Sequence, residues 1–209
     1  MIRTEILSMP DGNCSIKEHD LTRKFGISRT LVRESLKQLE AEKLIDRRRN
    51  RGTTVRKFTI KEIADTYDLR AVLEGFAGHQ AANKITTGQL AELEKLAGEY
   101  KEVENDNADP KMRTELDDRF HQKIVEIADN SQLHDIMRHF SILKQAFAVY
   151  WKKDTGRRKL QKTPFSHEKI VKAIADGNGV EAEQLLRKHV QWAKQHLLES
   201  FIGDLPEVK

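Results

Sequence analysis

The sequence predicts a mostly α-helical protein with an N-terminal winged helix-turn-helix over residues 1–57 and an all-α bundle over residues 58–209. Three observations lead to this prediction. Apolar residues recur at helical spacing through most of the chain, a β-branched run follows a basic loop near residue 53, and positive charge is concentrated at the N-terminal end. A chain of 209 residues can bury a core without disulfides or metals.

Charge divides the chain into two unequal parts. Residues 1–57 hold fourteen Lys or Arg and eight Asp or Glu, a net charge of +6, whereas the remainder has a net charge of −2. This basic segment indicates an anionic partner, and nucleic acid fits better than a membrane because no large apolar face adjoins it. No apolar run approaches the ~20 residues of a membrane span. Together with the single Cys14, these features predict a cytoplasmic protein.

The first part of the chain is punctuated by turn and capping residues. A short helix is expected over residues 2–8, followed by a turn cluster. We expect Ser15 to cap a second helix that ends at Gly26. Ser28 then opens a third helix, which should run to about Lys43.

A basic hairpin is predicted after these helices. Leu44 and Ile45 precede the basic loop DRRRNRG, and the β-branched run Thr53–Val55 follows it. This pattern is typical of two strands with their turn at residues 49–52. Two helices joined by a Gly-containing turn and followed by such a hairpin predict a winged helix-turn-helix.

The helix that opens at Ser28 would have one apolar and one basic face. Arg29, Thr30 and Arg33 cluster near its N-terminal end, where the second helix of a helix-turn-helix reaches base edges. Arg can bind guanine O6 and N7, and the hydroxyls of Ser28 and Thr30 suit phosphate oxygens. The positions expected to face inward are Ile27, Leu31, Val32, Leu36 and Leu39.

The wing would add contacts to the DNA backbone. Gly52 would allow a close approach to the phosphates. A solvated basic face without a ligand is the alternative, but the turn, the preceding helix and the basic loop together favour DNA. The arginines expected along the backbone are Arg47, Arg48, Arg49 and Arg51.

The remainder of the chain is predicted to be helical throughout. Apolar residues recur at helical spacing, and short polar or Gly-containing separators divide the helices. No strand is predicted after residue 57, and the pattern is typical of a helical bundle. The six predicted helices cover residues 60–83, 87–105, 110–128, 131–153, 165–176 and 179–203.

Four residues of the predicted bundle form a candidate metal site. Asp117 and His121 are four residues apart on one helix, and His167 and His189 each lie on an apolar stripe. Buried histidines need partners, and core histidines often find them in ordinary hydrogen bonds. The alternative is a ligand set of three nitrogens and one oxygen for Zn, Ni, Mn or Fe, with an open position. Spacing alone leaves both interpretations open.

Residues 20–55, DLTRKFGISRTLVRESLKQLEAEKLIDRRRNRGTTV, resemble the winged-helix domain of the GntR family of bacterial transcriptional regulators. The shared elements are the G-[VI]-S-R, V-R-E and R-G-x-x-V patterns. The resemblance implies that Arg29, Arg33 and Gly52 contact DNA. One departure is His19, which stands where the family often has a DNA-contacting Arg.

The segments YDLRAVLEGFAGHQAA, DDRFHQKIVEIADN and SHEKIVKAIADGNGVEAEQLLRKHV resemble the FCD ligand-binding domain of the FadR subfamily. The resemblance implies that Asp117, His121, His167 and His189 are metal ligands. It also implies that Arg70, in the L-R-x-x-L-E pattern, meets an anionic effector in the cavity. A pair between Arg70 and Glu74, four residues on, is the alternative.

Taken together, these expectations describe a homodimeric regulator, more often a repressor in this family, and not an enzyme. It would bind a palindromic double-stranded DNA operator under the control of a small carboxylate that ligates the metal. One alternative is a regulator for which the metal itself is the signal. Another is a metal-dependent hydrolase, which the sequence disfavours because no separate general base stands beside the ligands. His196 could also line the cavity, and His134 and His139 are expected to be structural.

Overall fold

A computed structural model of the chain describes residues 1–8, 15–48, 52–105, 108–152 and 163–202. The described part divides into two units. One unit comprises residues 1–59 together with the end of one long helix, from Ile142, and the other contains the remaining described residues. Of the predicted arginines, Arg49 and Arg51 lie outside the described residues.

The first unit begins with three helices and a small antiparallel sheet. In the sheet, β3 lies between the other two strands, with Ile16 opposite Thr53 and Arg48 opposite Gly52. The predicted hairpin therefore forms between Ile45 and Val55. The elements are α1 (Ile2–Ser8), β1 (Ser15–Ile16), α2 (Glu18–Phe25), α3 (Arg29–Ala41), β2 (Ile45–Arg48) and β3 (Gly52–Val55).

The prediction that Ser15 caps a helix is wrong. Ser15 and Ile16 are extended and pair with β3, and α2 begins only at Glu18. Strand pairing satisfies the backbone groups of this segment and places Ile16 in the core, where its side chain is 5% exposed. A two-residue strand is too short to show the alternation by which strands are recognised.

The boundary between α2 and α3 follows the predicted chemistry. Gly26 ends α2 in the left-handed conformation, with φ of 63°, which glycine adopts without steric cost. Ser28 caps α3, since its side-chain oxygen accepts a hydrogen bond from the Leu31 amide. Val32 and Leu36 are fully buried as predicted, but Leu31 is 53% exposed, so its predicted inward position is wrong. Leu31 directly precedes Val32, and the rotation of the helix between them turns its side chain away from the buried face.

The second part of the chain forms all six predicted helices, with ends that differ from the predictions by at most two residues. Among the described residues no strand follows β3. The end of the fourth of these helices belongs to the first unit, where the Phe147 ring meets the Phe58 ring edge-on at 4.9 Å. The helices are α4 (Ile60–Lys84), α5 (Thr87–Val103), α6 (Pro110–Ile127), α7 (Ser131–Lys152), α8 (His167–Ala175) and α9 (Gly179–Ile202).

Capping residues set the starts of these helices. Thr86 and Gln89 form a reciprocal capping box at the start of α5. Asp109 caps α6 directly before Pro110, which needs no amide partner in the first turn. Asn130 accepts a hydrogen bond from the Leu133 amide at the start of α7. The polar separators in the sequence therefore act as helix start signals.

Close packing of α4 against α9 forms the centre of the bundle. A Cβ atom at Gly78 would overlap Leu186 Cδ1 of α9, and one at Gly75 would lie 2.7 Å from Arg187 Cγ. Ala77 and Ala81 on the same helix are fully buried. Small residues thus bring the two helices together and place the inner face of α4 beside the residues of α6 and α9 that carry the candidate site.

Candidate metal centre and DNA-binding surface

The four predicted ligands converge from three helices. Asp117 and His121 lie on consecutive turns of α6, His167 is the first residue of α8, and His189 lies midway along α9. One ligand atom from each lies within 4.8 Å of the others. The three histidines are buried and Asp117 is partly exposed, so the cluster has one more accessible side.

The distances within this cluster fit a single cation. Asp117 Oδ1 lies 3.6 Å from His121 Nε2, 3.4 Å from His167 Nε2 and 3.9 Å from His189 Nε2. His121 Nε2 and His189 Nε2 are 3.3 Å apart. Ligands about 2.1 Å from a tetrahedral metal stand roughly 3.4 Å from one another. The residues present therefore fit a divalent transition metal.

His167 supplies a further sign that a partner belongs in the cluster. Its imidazole is 2% exposed and stacks on Phe120 at a centroid distance of 4.0 Å. Neither ring nitrogen has a hydrogen bond of good geometry within the described residues. Burial lowers the pKa of His167 to about 4, although Asp117 acts in the opposite direction, so the ring is neutral at pH 7. A buried neutral imidazole is the form that binds metals.

Two of the ligands are oriented by contacts to their other ring nitrogen. His189 Nδ1 lies 2.8 Å from the backbone carbonyl oxygen of Phe165. His121 Nδ1 lies 2.6 Å from Glu74 Oε2 on α4, an ion-pair contact whose angles fall outside those of a hydrogen bond. An acceptor beside Nδ1 favours keeping a hydrogen there, so that a metal would displace the proton at Nε2, which is the arrangement of histidines around protein-bound metals.

Glu74 is a buried carboxylate between two cationic partners. Its Oε1 accepts hydrogen bonds from Arg70 Nε at 2.9 Å and Nη2 at 2.7 Å. Burial alone would raise the pKa of Glu74, but Arg70 and His121 hold it well below its usual range. Burial would likewise lower the pKa of His121, yet Glu74 and Asp117 raise it to about 9. Sequence reasoning missed the contact of Glu74 with His121, because helical spacing carries no signal for contacts between separate helices.

Arg70 pairs with Glu74 and also lines a cavity, while its role in binding an anionic effector stays a prediction. It is 6% exposed and pairs with Glu74 four residues on, as the structural alternative predicts. It also lines a cavity of about 300 Å³, bordered by His121, His134 and Arg138, that lies between α4, α6 and the first part of α7. His134 thus lines the cavity, whereas His196 stacks on Trp192 at 3.8 Å and is not among the cavity-lining residues described.

The predicted DNA-reading residues form an exposed group at the start of α3. Arg29, Thr30 and Arg33 are all exposed. Arg33 Nε donates to Glu18 Oε2 at 2.8 Å, and Arg47 Nη2 lies 3.5 Å from Glu18 Oε1. This carboxylate on α2 therefore links the reading helix to the wing.

Other predicted DNA contacts have additional structural roles. Ser28 caps α3 through its side-chain oxygen, and its hydroxyl hydrogen is not used by that bond. Gly52 has a φ of 80°, and an added Cβ would lie 3.3 Å from Ser15 Oγ. Glycine is favoured there by both conformation and space.

Comparison with known families places both parts of the chain. Residues 65–191 match the FCD domain, and residues 13–55 match the bacterial regulatory proteins of the gntR family. The chain belongs to the GntR family. It is a GntR-family transcriptional regulator with an FCD domain, and the resemblance inferred from the sequence is confirmed. No helix among the described residues is long and apolar enough to cross a membrane.

Individual relatives agree with this assignment. The transcriptional regulator LutR of Bacillus subtilis is 27% identical over 81% of this chain and 84% of its own length. The gluconate operon transcriptional repressor of Bacillus licheniformis is 28% identical over 83% of this chain and 72% of its own length. These relatives are transcriptional regulators, so the prediction that the chain is not an enzyme is confirmed and the hydrolase alternative is set aside.

Solved structures share the whole fold. A GntR regulator from Rhodococcus sp. RHA1 has a TM-score of 0.71 and 25% identity, covering 95% of this chain and 94% of its own. The E. coli protein McbR/YncC has a TM-score of 0.79 at 15% identity, covering 96% of both chains, and supports the fold alone.

Proposed function

We propose that the chain is a homodimeric repressor that binds a palindromic operator and is controlled by a small carboxylate at a metal-containing site. In this proposal residues 1–57 form the DNA-binding part and residues 58–209 the sensing and dimerising part. Each subunit reads one half-site in the major groove, which requires a cytoplasmic location with access to the chromosome. Ser28, Arg29, Thr30, Arg33 and Gly52 would contact DNA, with Arg49 and Arg51 of the wing.

The proposed metal ligands are Asp117, His121, His167 and His189. The single observation that carries this proposal is their convergence in the bundle of a GntR regulator. A mixed nitrogen and oxygen set suits Zn, Ni, Mn or Fe. When bound, such an ion supplies an electrophilic position for a carboxylate oxygen, while the chain's own residues shape and charge the site.

The proposed effector is a small organic acid. The cavity borders Arg70 and His121, one of the four proposed ligands, so an acid there would lie beside a guanidinium group and next to one ligand of the proposed metal. Arg70 Nε and Nη2 are used by Glu74, so a carboxylate would bind the guanidinium through Nη1. The name of one relative supports this class, since it is the repressor of a gluconate operon.

Operator selection from a randomised DNA pool, followed by affinity measurements, tests this proposal. The selected site should be a palindrome bound by two chains. Adding a panel of small hydroxy acids to metal-loaded protein should weaken binding for at least one acid, and chelation should abolish that response. If metal alone changes the affinity and no acid does, the metal itself is the signal. If neither metal nor acids change it, the sensing role is wrong.

A further inference from the structure

We propose that Glu74 is a positioning residue of the metal centre and that Arg70 holds Glu74 in place. This inference rests on the proposed function, because it assumes that a metal binds at the four ligands. Glu74 does not coordinate the metal in this account. Its role is to orient His121 and to fix which ring nitrogen carries the proton.

The two oxygens of Glu74 have separate partners. Oε1 accepts two hydrogen bonds from the Arg70 guanidinium, and Oε2 lies 2.6 Å from His121 Nδ1. Both donors of the guanidinium bind the same oxygen, so they hold Oε1 in place while Oε2 faces His121. Both side chains are almost fully buried, with Glu74 1% and Arg70 6% exposed, so solvent does not compete for these bonds.

The tautomer of His121 follows from this contact. When a cation displaces one proton of His121, the carboxylate beside Nδ1 favours keeping the remaining hydrogen on Nδ1. The lone pair is then on Nε2, which is the nitrogen 3.3 Å from His189 Nε2 and 3.6 Å from Asp117 Oδ1. The positions of Glu74 and Arg70 therefore determine that His121 presents a lone pair to the metal.

Stability alone is a weak reason for this arrangement. Burying a charged pair costs desolvation energy that its attraction often fails to repay. An acceptor placed on the far nitrogen of a metal-binding histidine raises the basicity of the ligand, and losing it usually costs 10–100-fold in metal affinity. The positional role accounts for a buried carboxylate that reaches across from α4 to a ligand on α6.

The test is a measurement of Zn²⁺ affinity for wild type and Glu74→Gln, by competition with a chromophoric chelator at neutral pH. Glutamine keeps the size of the side chain but removes the charge, and we expect affinity to fall by about 10–100-fold. The matched control is Asp65→Asn, which removes an exposed pair with Lys61 four residues away on the same helix. This control should bind Zn²⁺ as wild type does.

A spectroscopic measurement separates positioning from general destabilisation. Loaded with Co²⁺, Glu74→Gln should give a visible ligand-field spectrum different from wild type, because the orientation of His121 changes. The control should be unchanged. If Glu74→Gln does not fold, Arg70→Lys serves instead, because lysine keeps the positive charge but replaces the two guanidinium donors with one ammonium group. Arg70→Lys should show a smaller loss of Zn²⁺ affinity and an altered Co²⁺ spectrum.

A folded Glu74→Gln protein with wild-type affinity and an unchanged Co²⁺ spectrum would overturn the inference and leave the metal centre intact. A wild-type protein that takes up no Zn²⁺ would overturn the metal centre itself.

Discussion

His121 and His167 have opposite electrostatic surroundings in the metal-free protein. His121 lies between two carboxylates, which raise its pKa to about 9 against the lowering effect of burial. His167 is buried against Phe120, and burial lowers its pKa to about 4. At neutral pH and without metal, His121 is therefore protonated whereas His167 is neutral.

These shifts predict how stability depends on pH without metal. His121 contributes stability that is fully present below its ordinary pKa of 6.5 and is lost as pH rises to about 9. His167 contributes stability that is present above pH 6.5 and is lost as pH falls towards about 4. In chelator, the difference in unfolding midpoint between wild type and His121→Asn should shrink as pH rises from 6.5. A difference that grows above pH 6.5 would contradict the raised pKa of His121.

Arg33 is the residue on which the DNA-reading proposal depends most. Glu18 holds its Nε, which leaves the two terminal nitrogens to face a guanine edge. Arg33→Ala should weaken binding to the selected operator by about 1–3 kcal/mol and relax specificity at one base pair. Fluorescence anisotropy measures both effects. Lys61→Ala, an exposed change on α4, serves as the control, and an Arg33→Ala affinity equal to it would contradict the proposal.

Glu18 should affect the same measurement in a different way. Without its carboxylate, Arg33 and Arg47 lose their shared anchor. We expect Glu18→Gln to lower the ratio of specific to non-specific affinity by up to about fivefold, because an exposed ion pair contributes about 0–1 kcal/mol. A higher ratio in Glu18→Gln would mean that the carboxylate masks Arg33 and does not position it.

Helical spacing together with the family resemblance predicted the four clustered side chains, but neither predicted their partners. An i,i+4 pair and two histidines on apolar stripes indicate which residues point into the bundle. They carry no information about which side chain of α4 meets them. The Arg70–Glu74 pair follows from helical spacing, whereas the contact between Glu74 and His121 depends on how α4 and α6 pack.

At the scale of elements, a helix or strand is easier to predict from the sequence when its apolar periodicity extends over more residues. The long helices α4 to α9 contain several turns of apolar periodicity and polar caps, and all six were predicted. Strand β1 has only two residues, and its pairing with β3 depends on a segment almost forty residues away. Ser15 has the side chain of a good helix cap, but the sheet uses its backbone instead.

Helix packing provides a stability prediction at this scale. A methyl group at Gly78 would overlap Leu186, so Gly78→Ala should destabilise the protein by about 1–3 kcal/mol through overpacking of α4 against α9. Gly98→Ala is the matched control, because α5 has open space there and alanine should stabilise the helix by about 0.5–1 kcal/mol. Denaturant unfolding of both variants measures the difference, and a stabilised Gly78→Ala would contradict the packing.

At the scale of the whole molecule, α4 has an exposed apolar stripe on its outer face. Leu69, Val72 and Phe76 are 56%, 46% and 40% exposed, and their spacing places them along one side of the helix. GntR regulators typically form dimers, and a contiguous apolar stripe is suited to contact a second copy of the chain. We therefore expect this stripe to contribute to the dimer interface.

A single charged substitution in the apolar stripe tests the dimer prediction. Val72→Glu should shift the protein from dimer to monomer in sedimentation velocity, because a carboxylate in an apolar interface is left without a partner. Val180→Glu is the control, since Val180 is 60% exposed near the start of α9, where an acidic residue is tolerated. A Val72→Glu protein that stays dimeric at micromolar concentration would place the interface elsewhere.

The most direct test of the central claim is anomalous diffraction from crystals of Zn²⁺-loaded protein, measured at the zinc absorption edge. We expect one anomalous peak per chain, at roughly 2.0–2.2 Å from the coordinating atoms of Asp117, His121, His167 and His189. Ordered side chains at these four positions with no peak between them, or with their ligand atoms turned apart, would contradict it.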